Sequence, residues 1–507
     1  VVRSRERISH RGRRKLRIGL IVTKTAREKL GDQLLVDIYK ETNIPYVAEF
    51  GEYLAEDVKS NELQGLLVVS EKDEQNFVSS VDEKLGISPL AVEVLPLSWF
   101  IGKSPSYNKA LLKAYVRKLS KQDFVYRLQP VKTTTVTRRS LIKFRLYEYK
   151  VYPVLFDALT FEREINTLIQ SCPKGLIAKA VEGVTITSPQ DCTGCGYCTS
   201  KGYLGYLEMP SLTTEQFISF VNEIVRNYNA EGKSLGLVFT SDKTVSLEEG
   251  LFPLLVPNVA SVHDSFVFAT FAAGLIPVIL YDPKDDIAKK RVEEIPDVFP
   301  GTELKIVKVK HGDKIPLVEN KLPKSEIPEG VALTRYRRRS LYLWALEEMD
   351  KKVKVNPEVE VPGVYFVEVD PDKCVLCGVC VRACQMLVPD MKTVNDLTTL
   401  DYNIPYCIGS QRCVKNCPEN AIKVERLAKF KELQKVRVNQ AKVTKCRYCG
   451  KPIGTAKIKG KVDSLLIQYG YPGTAQYTDV CNECKQKELT KMWLESYLNA
   501  TGKKKVL

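Results

Sequence analysis

Histidine is nearly absent from this chain, with three in 507 residues: His10, His263 and His311. So few leave little room for imidazole catalysis or a histidine-rich metal site, and each is expected to be structural. Long apolar runs are missing too. The longest uncharged stretch, Ser265 to Tyr281, reaches only the lower limit for a membrane span and contains Gly274 and Pro277. A buried helix feeding a core strand is expected there. Arg13-Arg14 stands ahead of Ile18–Val22, but that apolar segment ends at Lys24 and is too short for an export signal. No glycine-rich phosphate loop follows it: the sequence runs Ile-Val-Thr-Lys-Thr-Ala-Arg, which assigns no nucleotide or flavin to this part of the chain. Acidic residues are outnumbered, 61 against 76 Lys and Arg, and the charge of +15 implies acidic partners. The basic residues gather at Arg3, Arg5, Arg7, Arg11, Arg13, Arg14, Lys15 and Arg17, at Arg335, Arg337, Arg338 and Arg339, and at Lys503 to Lys505.

What the chain does have is cysteine, 15 in all, seven of them in one block. Disulfide frameworks belong to small secreted chains, so these read as metal ligands in a reducing compartment. Cys374-Val-Leu-Cys377-Gly-Val-Cys380-Val-Arg-Ala-Cys384 has the C-x2-C-x2-C-x3-C spacing. At that spacing a tight loop wraps three thiolates around an iron–sulfur cube, and the fourth cysteine passes to a neighbouring cluster. Cys407-Ile-Gly-Ser-Gln-Arg-Cys413-Val-Lys-Asn-Cys417-Pro418 repeats the pattern with Ser410 where the central cysteine would stand.

This pairing resembles the motifs in the iron–sulfur subunits of succinate dehydrogenase and fumarate reductase, where the same missing position accompanies a three-iron cluster. The resemblance covers residues 374–418, and the gap from Gln385 to Tyr406 is shorter than in that family. With the crossed ligation of two-cluster ferredoxins it implies a [4Fe–4S] cluster on Cys374, Cys377, Cys380 and Cys417. It also implies a [3Fe–4S] cluster on Cys384, Cys407 and Cys413. Ser410 then stays unbound, or holds a fourth iron through its alkoxide; a structural zinc site is the remaining alternative. One thiolate fewer should raise the potential of that cluster.

A second cysteine region precedes this block. Cys172-Pro173 is followed by Cys192-Thr-Gly-Cys195-Gly-Tyr-Cys198. In a two-cluster ferredoxin the C-P cysteine of the first half joins the C-x2-C-x2-C of the second. The resemblance therefore implies one [4Fe–4S] cluster on Cys172, Cys192, Cys195 and Cys198. The partner cluster is lost: its loop positions would be Glu162, Ile165 and Leu168, and its crossed ligand Gly202. Near the end, Cys446-Arg-Tyr-Cys449 and Cys481-Asn-Glu-Cys484 form two C-x2-C knuckles 31 residues apart, the signature of a four-thiolate zinc ribbon with no open coordination site. Rubredoxin-like iron is the alternative. The phrase Cys-Gly-Lys-Pro-Ile-Gly, just after the cysteine block, is similar to the tails of ferredoxin-like subunits in membrane-bound hydrogenases and formate hydrogenlyase, relatives of respiratory complex I.

The pattern predicts an α/β and α+β multidomain chain with two α/β regions, two ferredoxin-like iron–sulfur regions and a C-terminal zinc ribbon. The expected divisions are a basic arm over 1–15, an α/β domain over 16–125, a degenerate ferredoxin-like domain over 126–210, an α/β domain over 211–330, a two-cluster domain over 331–436, and the ribbon with its basic tail over 437–507. Strands are expected at Ile18–Val22, Pro45–Phe50, Leu66–Ser70, Val92–Leu95, Leu235–Thr240, Pro277–Tyr281 and Leu304–Lys310. Helices are expected at Ala26–Thr42, Asn108–Leu119, Thr214–Asn227, Ser265–Gly274, Thr334–Glu348 and Asn420–Val436, with a linker over His311–Gly330. The run Val256-Pro-Asn-Val-Ala-Ser-Val-His, with its following helix and Gly-Leu-Ile-Pro-Val-Ile-Leu, resembles the δ-subunit domain of methyl-viologen-reducing hydrogenases, without cysteine ligands.

No nucleophile, acid–base pair or cofactor fingerprint would let this chain transform an organic substrate alone. The expectation is an electron-transfer subunit of a multisubunit respiratory oxidoreductase of complex I, hydrogenase or heterodisulfide-reductase kind. It would lie in the cytoplasm on the membrane face, fed by an acidic soluble carrier such as ferredoxin. Two alternatives from other classes stand beside it: a nucleic-acid-binding protein with structural clusters, and a flavin-containing reductase.

Overall fold

The computed structural model describes residues 16–121 except 43, 52, 73–76, 79–80 and 82–83; residues 151–316 except 157–158, 160 and 230–234; and residues 322–501 except 335. The basic arm and the Lys503 to Lys505 tail lie outside the described residues. The chain forms two compact units, Val1–Val355 and Asn356–Leu507.

In the first unit a four-stranded parallel sheet runs in the order Tyr46–Glu49, Ile18–Val22, Gly65–Ser70, Val92–Pro96. Ile18–Val22 is buried at all five positions, as a central parallel strand covered on both faces must be. The helical spacing over Ala26–Thr42 resolves into two helices, Lys24–Leu30 and Asp32–Thr42. They part at Gly31, whose φ of 82° lies in the left-handed region where glycine carries no steric cost. The chain then leads to the helix Pro105–Ser120, capped by the Ser104 hydroxyl, which accepts from Tyr107 N at 3.3 Å.

A second parallel sheet has the order Leu251–Leu255, Gly236–Thr240, Ile276–Tyr281, Val307–Lys310. Thr214–Asn227 begins with a capping box between Thr213 and Gln216. Two elements escape the sequence pattern: the helix Asp286–Glu294, capped by Asp285, and the strand Leu251–Leu255. Pro253 sits inside that strand, and proline is tolerated because the strand lies at the sheet edge. Its outer carbonyls are met by the helix Pro105–Ser120: Tyr107 donates its hydroxyl to Leu251 O at 2.7 Å and Tyr115 donates to Pro253 O at 3.0 Å. Tyr115 also accepts from Leu255 N at 3.1 Å. The first α/β region thus closes the exposed edge of the second, a standard way to protect such an edge.

Arg338 and Arg339 do not form a solvent-facing basic patch. On the helix Arg337–Lys352 both are buried, at 0% and 2% exposure. Arg338 donates to Thr199 O and lies 3.7 Å from the buried Glu208 carboxylate. The guanidinium of Arg339 stands over the Tyr342 ring at 5.8 Å.

The second unit is built on an antiparallel sheet in the order Pro389–Val394, Leu397–Asn403, Lys435–Lys445, Pro452–Thr455. No helix spans Asn420–Val436. That stretch holds the strands Ile422–Lys423 and Leu427–Lys429 and the start of Lys435–Lys445. Their pairing with Glu368–Val369, Glu360–Tyr365 and Leu397–Asn403 overrides local helical spacing. The Glu432 carboxylate fixes the turn between them, accepting two hydrogen bonds of 2.8 Å from the Arg426 guanidinium and one of 2.8 Å from Lys429 N. Among the described residues no helix is long and apolar enough to cross a membrane.

Candidate metal centres

Three loops share one backbone design. In Cys192–Cys198, Gly194 and Gly196 have φ of 71° and 67° and bracket Cys195. In Cys374–Cys380, Leu376 and Gly378 at 60° and 73° bracket Cys377. In Cys407–Cys413, Gly409 and Gln411 at 67° and 61° bracket Ser410. Each second bracket residue is the N-cap of a short helix, Tyr197–Lys201, Val379–Ala383 or Arg412–Lys415, that carries the last cysteine of its loop. Two left-handed residues around a central side chain curl the loop into a concave nest that suits an anionic group. Ser410 therefore occupies the loop position of Cys195 and Cys377. The conformation survives at Gln411, where a left-handed residue other than glycine is uncommon; its side chain is tied down by donating to Val424 O.

The remaining cysteines of these regions share a turn of their own. Cys172, Cys384 and Cys417 are each followed three residues later by a left-handed residue: Gly175 at 66°, Leu387 at 54° and Asn420 at 48°. In each turn that residue's N–H returns to the cysteine carbonyl, at 3.0, 3.4 and 3.3 Å. Leu176 N and Ala421 N donate to the sulfurs of Cys172 and Cys417, both at 3.3 Å. Such N–H···S bonds favour a metal-bound thiolate and tune a cluster's potential.

In the second unit two hollows each bring cysteines from separate runs together. Cys374, Cys377, Cys380 and Cys417 line one small hollow together with Leu400 and Ile422. Cys384, Cys407, Cys413 and Ser410 line another with Met386, Val388 and Ile408. Burial, then the charge of Cys407 and Cys384, pushes the Cys413 thiol up to about 12; burial also raises Cys380. Thiols that resist ionisation become thiolates only when a cation supplies the compensating charge, which fits a metal group in each hollow.

In the first unit Cys198 is buried, and its thiol is raised by that burial and then by the charges of Cys195, Cys172 and Cys192, which lie within electrostatic reach. The second sheet positions this loop. Gly196 packs so closely on Ser261 that an added Cβ would come within 2.5 Å of the serine Cβ. Tyr197 and Lys201 both donate to the Glu294 carboxylate at 2.5 Å. Ser261 follows the carboxyl end of the strand Leu251–Leu255, the side on which open parallel sheets place their ligands.

Apolar and carboxylate side chains fill the region around Glu162, Ile165, Leu168 and Gly202. Ile165 and Leu168 on the helix Glu162–Ser171 are buried in the core, and Glu164 is fully buried. The Glu164 carboxylate accepts from Tyr203 N and Leu204 N, both at 3.1 Å.

Cys446, Cys449, Cys481 and Cys484 have all four sulfurs within 4.8 Å of one another. The Cys449 and Cys481 sulfurs are 3.6 Å apart, near the ~3.8 Å edge of a tetrahedron with metal–sulfur bonds of about 2.3 Å. Cys481 N donates to the Cys446 sulfur at 3.4 Å and, as the leading cause, lowers that thiol to about 6. The neighbouring sulfur of Cys481 and burial push Cys484 up to about 12. One easily ionised thiol beside reluctant ones is a donor set that binds a divalent cation with proton release.

Residues with no sequence signal support these sites. Asn439 donates to Cys374 O at 2.9 Å and Pro371 O at 3.2 Å, and Thr455 donates to Val375 O at 3.1 Å. They lie 65 to 80 residues from the loop they brace, so only the folded sheet reveals them. His263 is buried and serves as a helix cap for Ser265 N, and His311 pairs with Asp242 at 2.6 Å.

Comparison with known proteins supports iron–sulfur binding around the Cys374–Cys384 run. Residues 366–389 match the family model of a 4Fe-4S binding domain. A protein of Staphylococcus haemolyticus provisionally named a formate dehydrogenase is 32% identical over 94 residues, covering 16% of this chain and 9% of that protein. The chain thus spans about a tenth of that relative's length. These matches and the cysteine content make this an iron–sulfur protein of electron-transfer or oxidoreductase type.

Proposed function

We propose that this chain is an iron–sulfur relay subunit of a larger oxidoreductase. Two ferredoxin-like regions carry the relay: a [4Fe–4S] cluster on Cys172, Cys192, Cys195 and Cys198, a second on Cys374, Cys377, Cys380 and Cys417, and a [3Fe–4S] cluster on Cys384, Cys407 and Cys413. A zinc ribbon on Cys446, Cys449, Cys481 and Cys484 completes it. The observation that carries this reading is the shared loop design, with Ser410 seated where its two sister loops place a cysteine. When bound, the clusters supply one-electron chemistry. The chain's own part is to curl the loops, direct Leu176 N and Ala421 N at sulfur, and surround each hollow with apolar side chains that exclude water.

The catalytic centre then belongs to a partner subunit. Hydrogenase-like, complex I-like, heterodisulfide-reductase-like and formate-oxidising assemblies on the cytoplasmic face of a membrane are the candidate hosts. The last rests on the staphylococcal match alone. The charge of +15 suits docking of an acidic electron carrier such as ferredoxin. Low-temperature EPR on anaerobically purified protein, as isolated and after dithionite, tests the reading alongside an iron count. About eleven irons per chain are expected, from clusters of four, four and three. A three-iron signal should vanish on reduction as four-iron signals appear. A protein with no cluster signal, or one that keeps its iron after every cysteine loop has been disrupted, overturns it.

A further inference from the structure

One tyrosine stands between the two hollows of the second unit. Tyr402 lies on the strand Leu397–Asn403, is 0% exposed, and is paired on both sides: with Pro389 of one neighbouring strand and Val436 of the other. That double pairing fixes where its ring can go. Leu400 on the same strand lines the hollow of Cys374, Cys377, Cys380 and Cys417. Tyr402 lines the hollow of Cys384, Cys407 and Cys413. Its hydroxyl nevertheless faces the Cys380 sulfur, a ligand of the first hollow, and lies within electrostatic reach of Cys413 and Cys384.

That hydroxyl makes no hydrogen bond of ordinary geometry, although it is buried. A buried donor without a partner needs an explanation, and an ion or cofactor beside it is among the usual ones. A phenol keeps its proton at physiological pH, so this hydroxyl has a hydrogen to give. An apolar strand side chain would have sealed this space without leaving a polar atom inside.

We propose that Tyr402 is the donor that ties the two clusters of the second unit into one relay, giving its O–H to the Cys380 sulfur once that sulfur is metal-bound. A metal-bound thiolate accepts more strongly than a thiol, and strongest when the cluster has gained an electron. Donation therefore stabilises the reduced cluster and raises its potential. Because Tyr402 lines one hollow and reaches a sulfur of the other, the same contact would place its ring between the two clusters. This inference rests on the two hollows holding clusters.

Tyr402→Phe removes one oxygen and keeps the ring. In the full chain, purified without air, both cluster signals of the second unit should survive. At a fixed potential near the midpoint, the reduced fraction relative to oxidised should fall about threefold to tenfold for the cluster on Cys374, Cys377, Cys380 and Cys417. Tenfold corresponds to about 59 mV for one electron. The cluster of the first unit should not move. An unchanged midpoint in an iron-replete variant overturns the proposal. If the variant loses iron, replacing tyrosine throughout by 3-fluorotyrosine, a stronger donor, supplies the second arm: the same midpoint must rise, and no rise overturns the proposal. A wild-type chain that holds no iron at these cysteines would overturn the underlying reading as well, and the iron count separates the two failures.

Discussion

The Glu164 carboxylate presses against Gly202, so that a Cβ added there would come within 2.9 Å of its Oε1 and 3.3 Å of Leu168 Cδ2. Gly202 is the position at which a second cluster would have taken its crossed ligand. A buried acid and a leucine now fill that space, and the acid is held by the Tyr203 and Leu204 amides rather than by a metal. The helix Glu162–Ser171 thus both fills the space beside Gly202 and supplies acceptors for two backbone amides.

Glu164 also makes the first unit sensitive to pH. Burial raises its carboxyl to about 7, against the lowering effect of the two amides and of the Arg338 and Arg163 guanidinium groups. The folded state therefore binds more protons than the unfolded one between the ordinary 4.5 and about 7. Stability should fall as pH rises through that window and level off above it, by about 3 kcal/mol at most. Glu164→Gln should flatten the slope. Denaturant midpoints of the two proteins from pH 5 to 8 check this, and parallel curves would refute it.

Ser410→Cys restores the thiolate that the loop geometry already accommodates between Gly409 and Gln411. The three-iron signal should give way to a four-iron signal, with about one more iron per chain. Ser410→Ala should leave the three-iron signal in place if the hydroxyl is not a ligand. A four-iron signal in the unaltered chain that turns into a three-iron signal in Ser410→Ala would show instead that the serine oxygen holds a fourth iron.

Much of this was legible in residue order, and the exceptions have physical causes. Ile18–Val22 reads as a core strand because a covered parallel strand is apolar at every position. The cysteine spacings read as three loops because only a tight curl brings C-x2-C-x2-C to one centre. Leu251–Leu255 did not read as a strand because Pro253 and Pro257 mask it, and its protection comes from Tyr107 and Tyr115, over 130 residues away. Asn420–Val436 misled because helical spacing is a local signal, whereas its strands are chosen by partners at Glu360–Tyr365 and Leu397–Asn403. The run of arginines at Arg337 to Arg339 misled in the same way: charge counts do not reveal that Arg338 meets Glu208 inside the fold.

Asn439→Ala should loosen the Cys374 loop. It strips a side-chain donor from Cys374 O and leaves Lys457 without one of its acceptors. Leaving a carbonyl and an ammonium short of partners costs about 1–2 kcal/mol. Iron release to a chelator should then speed up roughly tenfold, since about 1.4 kcal/mol is one decade. An unchanged release rate would mean that the thiolates alone hold the loop.

Removing the metal from the Cys446 group should reach the same loop by another route. The strand Lys435–Lys445 pairs with Leu397–Asn403 along most of its length and with Pro452–Thr455 at its far end, just before Cys446. Thr455 then donates to Val375 O inside the Cys374 loop. With the four sulfurs no longer drawn together, the Pro452–Thr455 pairing loses its anchor and the Thr455 contact goes with it. About one zinc per chain is expected by elemental analysis, and Cys484→Ser should lower it with the iron count at first unchanged. The four-iron signal should then decay faster in air than in the unaltered chain, while the first unit's signal keeps its lifetime. If elemental analysis finds a twelfth iron in place of zinc, with the visible absorption of a ferric tetrathiolate, the ribbon is itself a redox site. If the four-iron signal outlasts loss of the metal, the contacts of Asn439 and Thr455 do not depend on it.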